Sequence, residues 1–292
     1  MYVPDIELHE PAILEEAAAV MARHVPDARL LAGGTDLLVD LKTDRARFGH
    51  LVSLNRIDAL RDVTRADDGL RIGALTTVAQ LGCSPMVRDD FASLLDATGK
   101  MAAPQIRNRA TVGGNIASAV PCADLPPILT ALNSSVVLWS PDGEREVALE
   151  AFFVGPRQTI MRDDEVLTAV LVPSPAPRAG AAYARFQLRE GNAVAVASVA
   201  ASLVLGADGT VRAARIVLGA VAPVPKRVES AGAVLIGKAP REDVFRRAAD
   251  AAMAAAEPIS DIRGSAEFRR ELVGVMTRRA LATAWQRAQE AK

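Results

Sequence analysis

Cysteine and histidine are scarce in this chain, and neither falls into a ligand motif. Only Cys83 and Cys122 occur, with no CxxC pair. That argues against a disulfide framework, a zinc site or a cysteine-ligated iron–sulfur cluster. The three histidines, His9, His24 and His50, are scattered along the sequence and no HExxH is present. The sequence therefore predicts no metal site. Charge of either sign is not in excess, with Lys+Arg 34 against Asp+Glu 35. This removes the electrostatic footprint of a nucleic-acid binder. No run approaches the ~20 uncharged apolar residues of a membrane span. The richest stretch, NAVAVASVAASLVLGA, reads as a buried strand. The N-terminal stretch MYVPDIELHEPAILEEA lacks a basic n-region and does not read as a secretory signal. A cytoplasmic location is the expectation.

What remains is a soluble globular composition, half hydrophobic and a quarter charged, long enough at 292 residues for two domains. EPAILEEAAAVMARHV has helical spacing with acids in its first turn. ARLLAGG reads as a strand entering a tight turn, and HLVSLNRI and GLRIGALTT read as further strands. TVAQLGCSPMVRDDFASLLDATGKM reads as helices broken near Pro85, and NSSVVLWSPDGEREVAL as a hairpin. DDEVLTAVLVPSP is a strand closed by prolines. The segment Pro173–Ala182, PSPAPRAGAA, reads as a linker and domain boundary. Beyond it come three predicted strands, YARFQLRE, AVAVASVAASLVLGADG and VRAARIVLGAVAP. Three predicted helices follow: PKRVESAGAVLIG, REDVFRRAADAAMAAA and SAEFRRELVGVMTRRALATAWQRAQ. The C-terminal part is thus expected to be a small antiparallel sheet covered by helices.

Two Gly-Gly breaks stand about eighty residues apart, RLLAGGTDLLVDLK at Arg29–Lys42 and NRATVGGNIASAVPCADLPPILTAL at Asn108–Leu132. Glycine pairs reach backbone angles closed to other residues and let a ligand approach the main chain. Consecutive N–H groups in such a turn form a nest suited to phosphate. In AGGTDLL, Thr35 or Asp36 can cap a helix beginning at Leu37. VGGNIA offers the same chemistry, with Asn115 able to donate and accept. Taken singly, each pair is equally compatible with a plain tight turn. Neither is GxGxxG. GAVLIGKA at Gly232–Ala239 matches GxxxxGK, but Ala239 replaces the magnesium-binding Ser/Thr and the middle is apolar, so it reads as a helix end.

The pair AGGTDL and TVGGNIASAVPCADLPP resembles the FAD-binding medium subunit of the molybdenum hydroxylases, the group that includes bacterial carbon monoxide dehydrogenase and xanthine dehydrogenase. APQIRNRATVGGN, DEVLTAVLVP and SDIRGSAEFRRELVGVMTRRAL extend the resemblance over nearly the whole chain. It implies an α+β fold. Residues 1–175 would form a PCMH-type, vanillyl-alcohol-oxidase-like FAD-binding domain of two α/β subdomains, and residues 180–292 a small antiparallel sheet with C-terminal helices.

The resemblance also implies site residues. Leu30, Leu31, Ala32, Gly33, Gly34, Thr35, Asp36 and Leu37 would wrap the pyrophosphate. Thr111, Val112, Gly113, Gly114 and Asn115 would cross it from the other side. Ile116 and Ser118 would approach the isoalloxazine. Asp124 matches the aspartate of the family's SPxxDLxP pattern, seen here as AVPCADLPP, although a helix cap ahead of LPPILTAL is an alternative. Leu167 falls on a family flavin contact, and Ile106 lies in the extended second motif. Met101 stands where some relatives place an aromatic near the adenine; plain core packing is the alternative. Near YARFQLREGNAVAVAS, Arg185, Gln187 and Ala193 occupy positions where relatives carry a lysine or a flavin-shielding tyrosine. Too few cysteines are present for the cluster-bearing 4-hydroxybenzoyl-CoA reductase branch.

The implied role is electron transfer. A large partner would carry the molybdenum cofactor, a small partner two [2Fe–2S] clusters, and this chain FAD, in a dimer of heterotrimers. Electrons would leave to NAD+, a quinone or another acceptor. No acid/base constellation is evident, so no catalytic residue is assigned. A free-standing FAD-dependent oxidase or reductase of the vanillyl-alcohol-oxidase-like fold is the alternative. No histidine occurs in either Gly-Gly loop to hold flavin covalently.

Overall fold

The computed structural model describes residues 5–291. The first four residues of the N-terminal stretch lie outside that range. Among the described residues no helix is long and apolar enough to cross a membrane.

The N-terminal region opens with a parallel three-stranded sheet. His50–Ser53 lies in the middle, flanked by Glu7–His9 and Ala28–Leu31. The helix Leu14–His24 covers it, with Glu15 and Glu16 in its first turn and Arg23 and His24 in its last. That charge order complements the helix dipole. Its inner face buries Ala17 against Val52, Leu54 and Leu60.

A five-stranded antiparallel sheet follows, ordered Val63–Ala66, Gly69–Gly73, Val166–Pro173, Ser135–Ser140, Gly143–Ala148. The central strand Val166–Pro173 is apolar along nearly its whole length because both faces are covered. Short helices cover the sheet, including Val78–Cys83, Pro85–Asp90, Ala92–Thr98, Val112–Ala117 and Leu125–Ala131. The break expected near Pro85 is there, with Pro85 at the first helical position, where its missing N–H costs nothing. These two sheets are the two subdomains that the family resemblance implies.

The C-terminal region is a four-stranded antiparallel sheet, Ala179–Phe186, Ala197–Leu205, Val211–Gly219 and Lys226–Arg227, packed against Glu242–Ala255 and the long helix Ala266–Glu290. Ser265 caps that helix by accepting from the Phe268 amide at 3.1 Å. Two expectations need correction here. Lys226–Arg227 is a short edge strand rather than the start of a helix, and the helix runs Glu229–Leu235. The predicted linker is shorter than its composition suggests, because Ala179–Ala182 already belong to a strand. Small residues serve close packing there. A Cβ on Gly180 would sit 2.1 Å from the Ala284 carbonyl of the long helix. The GxxxxGK decoy straddles a helix end, with Gly237 at φ +72 donating to the Val211 carbonyl.

The two regions share a core. Tyr183, Ala200 and Val217 of the C-terminal sheet pack into the cluster that holds Leu129, Ile128 and Leu94 of the N-terminal region. Arg287 of the long helix closes the junction through Asp96 at 2.7 and 2.9 Å.

Candidate dinucleotide site

The strand Ala28–Leu31 ends in Ala32-Gly33-Gly34-Thr35-Asp36, and the helix Leu37–Lys42 begins at once. Gly34 sits at φ +73, where glycine turns the chain without strain. Gly33 is needed for a different reason. A Cβ there would lie 2.0 Å from the Arg109 carbonyl, so the first loop touches the backbone leading into the second motif. Among the described residues, the N–H groups of Gly33, Gly34, Thr35 and Asp36 donate to no protein acceptor. Neither Thr35 nor Asp36 caps the helix with its side chain, because Asp36 already has helical angles. The cap expected from the sequence is absent, and the amides stay unspent.

The second motif is built differently. Val112–Ala117 is helical, so Gly113 and Gly114 lie inside its first turn. Val112 donates to the Thr76 carbonyl, Gly113 to the Ala74 carbonyl, Gly114 to the Thr111 hydroxyl and Asn115 to the Thr111 carbonyl, at 2.9–3.0 Å. No free nest exists here, contrary to the sequence reading. Gly113 instead lets the helix press against Ala74, whose Cβ would lie 2.6 Å from a Cβ at 113. The Asn115 side-chain oxygen accepts from the Leu125 amide at 3.4 Å.

Between these segments lies a cavity of about 380 Å³, within the range of small-molecule and cofactor sites. Its walls include Leu30, Leu31, Ala32, Gly33, Gly34, Thr35, Asp36 and Leu37 from the first loop. Thr111, Gly113, Gly114, Asn115 and Ser118 come from the second motif, and Leu167 from the central strand. The set fits a dinucleotide: unspent amides for a diphosphate, aliphatic walls at Leu54, Leu75 and Leu167 for a flat ring, and polar groups at Asn115 and Ser118.

A family model described as the FAD binding domain in molybdopterin dehydrogenase matches residues 4–175, and one described as the CO dehydrogenase flavoprotein C-terminal domain matches residues 181–284. The chain is 37% identical to the carbon monoxide dehydrogenase medium chain of Hydrogenophaga pseudoflava, covering 98% of this chain and 99% of that one. The chain belongs to the FAD-binding medium subunits of the molybdenum hydroxylases. It is likewise 32% identical to the xanthine dehydrogenase FAD-binding subunit of Escherichia coli over 94% of both. The solved carbon monoxide dehydrogenase from Hydrogenophaga pseudoflava lacking the Mo-pyranopterin moiety superposes with a TM-score of 0.95 at 38% identity, covering 98% of this chain and 99% of that one.

In this flavoprotein subunit several of the residues expected at the cofactor lie outside the wall of that cavity. Val112 and Ile116 are fully buried on the core side of their helix, and neither reaches the cavity. Helical periodicity separates them from Thr111, Asn115 and Ser118, which do reach it. Met101 packs in the same core and Ile106 rests against it, which is the packing alternative. Asp124 does not cap its helix either. Its carboxylate accepts from the Tyr183 hydroxyl and the Arg185 guanidinium, both at 2.7 Å. Arg185 also donates to the Ala193 carbonyl, and among the described residues the buried Gln187 side-chain oxygen has no hydrogen-bond partner. Asp124 and Arg185 thus form a buried clamp between the two regions rather than part of the cavity wall. Burial pushes the Asp124 carboxyl up while Arg185 opposes the shift, and the Tyr183 hydroxyl is held protonated well above its usual range, chiefly by burial.

Other wall residues carried no sequence signal. Arg157 sits at φ +59 in the turn between Phe153–Gly155 and Gln158–Thr159, and pairs with Asp40 of the helix Leu37–Lys42. Only the fold brings these residues, 117 positions apart, to one wall. Burial at the cavity raises the Asp36 carboxyl above its ordinary value and the Asp40 charge adds to this, while Arg157 opposes it. Glu165 anchors the strand that carries Leu167. It accepts from Arg145 at 2.5 and 2.9 Å and from the Arg162 amide at 2.8 Å.

Proposed function

We propose that this subunit takes electrons from iron–sulfur clusters of a small partner subunit and delivers them to a soluble or quinone acceptor, with a molybdenum-bearing large subunit acting on the substrate. The assembly proposed is a dimer of heterotrimers. Bound FAD supplies the exchange between one-electron carriers and a two-electron acceptor. The chain's own residues bind, orient and enclose it. The observation that carries this reading is the row of unspent amides at Gly33–Asp36 facing Thr111, Asn115 and Ser118 across one cavity. Those amides would hold the diphosphate, and Leu167 and Ser118 would border the ring. The free-standing oxidase reading wants an acid/base group at the cavity. Asp36 and Asp40 of the wall sit at the glycine loop beside Arg157, and the C-terminal region is a plain sheet with helices rather than a substrate domain, which favours the electron-transfer subunit.

The test is an absorption spectrum of the purified chain, with the released cofactor identified by mass, then of the chain with the subunits that co-purify with it. The proposal expects FAD on the single chain and added iron–sulfur absorbance in the complex. It also expects flavin bleaching on substrate addition only when all subunits are present. Turnover of a small substrate by the single chain overturns it in favour of the oxidase. A colourless protein in both preparations removes the assignment of the cavity.

A further inference from the structure

The chain's three histidines are far apart in sequence but meet at one place. His9 ends the strand Glu7–His9, His24 ends the helix Leu14–His24, and His50 begins the strand His50–Ser53. One ring nitrogen from each lies within 4.8 Å of the others. His9 Nε2 stands 3.1 Å from His50 Nδ1, and the His24 ring stacks on His50 at 3.7 Å between centroids. Glu7 lies beside two of the three, with one carboxylate oxygen 3.7 Å from His9 Nε2 and the other 3.5 Å from His50 Nδ1. All three imidazoles are half-buried, so they are held yet open to a small ion.

We propose that His9, His24 and His50, with Glu7 as a fourth ligand, bind one borderline divalent cation of the zinc class. Imidazole nitrogen and carboxylate oxygen are donors that suit zinc, copper and nickel better than magnesium or calcium. Tetrahedral ligation with bonds of 2.0–2.1 Å places ligand nitrogens about 3.3 Å apart. The His9–His50 separation of 3.1 Å is close to that, and one ring nitrogen of His24 lies within 4.8 Å of both. Metal ligation needs neutral imidazole. The cation would join the strand Glu7–His9, the end of the helix and the central strand His50–Ser53. These elements brace Ala28–Leu31, the strand that delivers the glycine loop to the cavity. The site is separate from that cavity, and the inference does not depend on the flavin assignment.

The experiment uses the full chain, with any affinity tag removed and Cys83→Ser and Cys122→Ser introduced to exclude thiolate ligands. It is titrated with Co(II), then competed with Zn(II). The proposal expects one equivalent bound with a roughly micromolar or tighter Kd. It also expects visible ligand-field bands of tetrahedral cobalt and a rise of several degrees in Tm with Zn(II). His24→Ala and His50→Ala should each weaken binding more than the ~10–100-fold typical of losing an outer-shell partner. Glu7→Gln, at an exposed side chain, should weaken it less. Metal-free melts of each variant show whether the fold survives, and Glu7→Gln serves if a histidine variant does not fold. Absence of stoichiometric binding overturns the proposal. So does binding that is unchanged in Glu7→Gln and in every folded histidine variant.

Discussion

The two glycine pairs look alike on paper and do opposite things in space. Gly33–Gly34 lies in an open turn whose amides are unspent, and Gly113–Gly114 lies inside a helical turn whose amides are all spent within the protein. At the first pair the missing side chains let the backbone turn and face a cavity. At the second they let a helix press on Ala74. A glycine pair therefore marks a close approach, and the surrounding hydrogen bonds decide whether the approaching body is a ligand or the protein itself.

That contrast can be broken most directly at Gly34. Gly34→Asp places a side chain at φ +73, 2.9 Å from Leu38, and adds a charge beside the amides. Flavin affinity should fall by at least about 100-fold, as expected from charge repulsion combined with backbone strain. The flavin-to-protein absorbance ratio, with circular dichroism as a check on fold, reads it. Full flavin content in a folded variant would sink the assignment of the first loop.

Gly113→Ala should behave differently. Overpacking against Ala74 should cost about 1–3 kcal/mol in denaturant unfolding. Flavin per folded molecule should stay close to that of the unaltered chain. A folded variant without flavin would show that the second pair also meets the cofactor through its backbone.

Glu165→Gln sharpens the comparison from the third wall. Hydrogen bonding from Arg145 holds the Glu165 carboxyl below its ordinary value against the opposing effect of burial. A carboxyl depressed in the folded state stabilises the fold above its unfolded pKa, and that stability is lost as pH falls through the folded value. The unaltered chain should therefore lose this contribution below about pH 4, the ordinary range of Glu. The Gln variant should lack it throughout, by about 1–2 kcal/mol at pH 7, since Arg145 is partly solvated. Denaturation midpoints from pH 3 to 7 test this, and parallel curves for both proteins would refute it.

The smallest effect belongs to Asp36, whose amide faces the cavity while its carboxyl is raised by burial. As pH rises through that raised value the carboxylate forms, and it should oppose an anionic diphosphate. Asp36→Asn should tighten FAD binding by no more than about fivefold at neutral pH, the Coulomb scale for a solvent-screened charge. It should also flatten the pH dependence. Equilibrium titrations of apoprotein at several pH values measure both.

Much of the fold was legible in local pattern. The helix Leu14–His24, the helix break at Pro85, the Pro-Asp-Gly hairpin and the C-terminal sheet with its helices all announce themselves through periodicity and turn chemistry. The first loop was legible too, because a strand running into Gly-Gly-Thr-Asp has few ways to end. The second motif is less legible. Nothing in VGGNIA says that Thr76 and Ala74, distant in sequence, accept its amides. The sequence pattern does not show that Asp124 and Arg185 pair with each other across the junction of the two regions. Arg157 and Asp40 had no local signal at all.

By itself the sequence determined which segments are helix, strand or turn, where the backbone can come close to a neighbour, and which family the chain resembles. These depend on side-chain size, φ/ψ preference and spacing within a few residues. Only the tertiary structure decided which amides remain unspent, which polar groups pair across the domain junction, and that the three histidines stand together. Those outcomes depend on hydrogen-bond and charge partners supplied by residues tens to more than a hundred positions away, and only the folded packing chooses them.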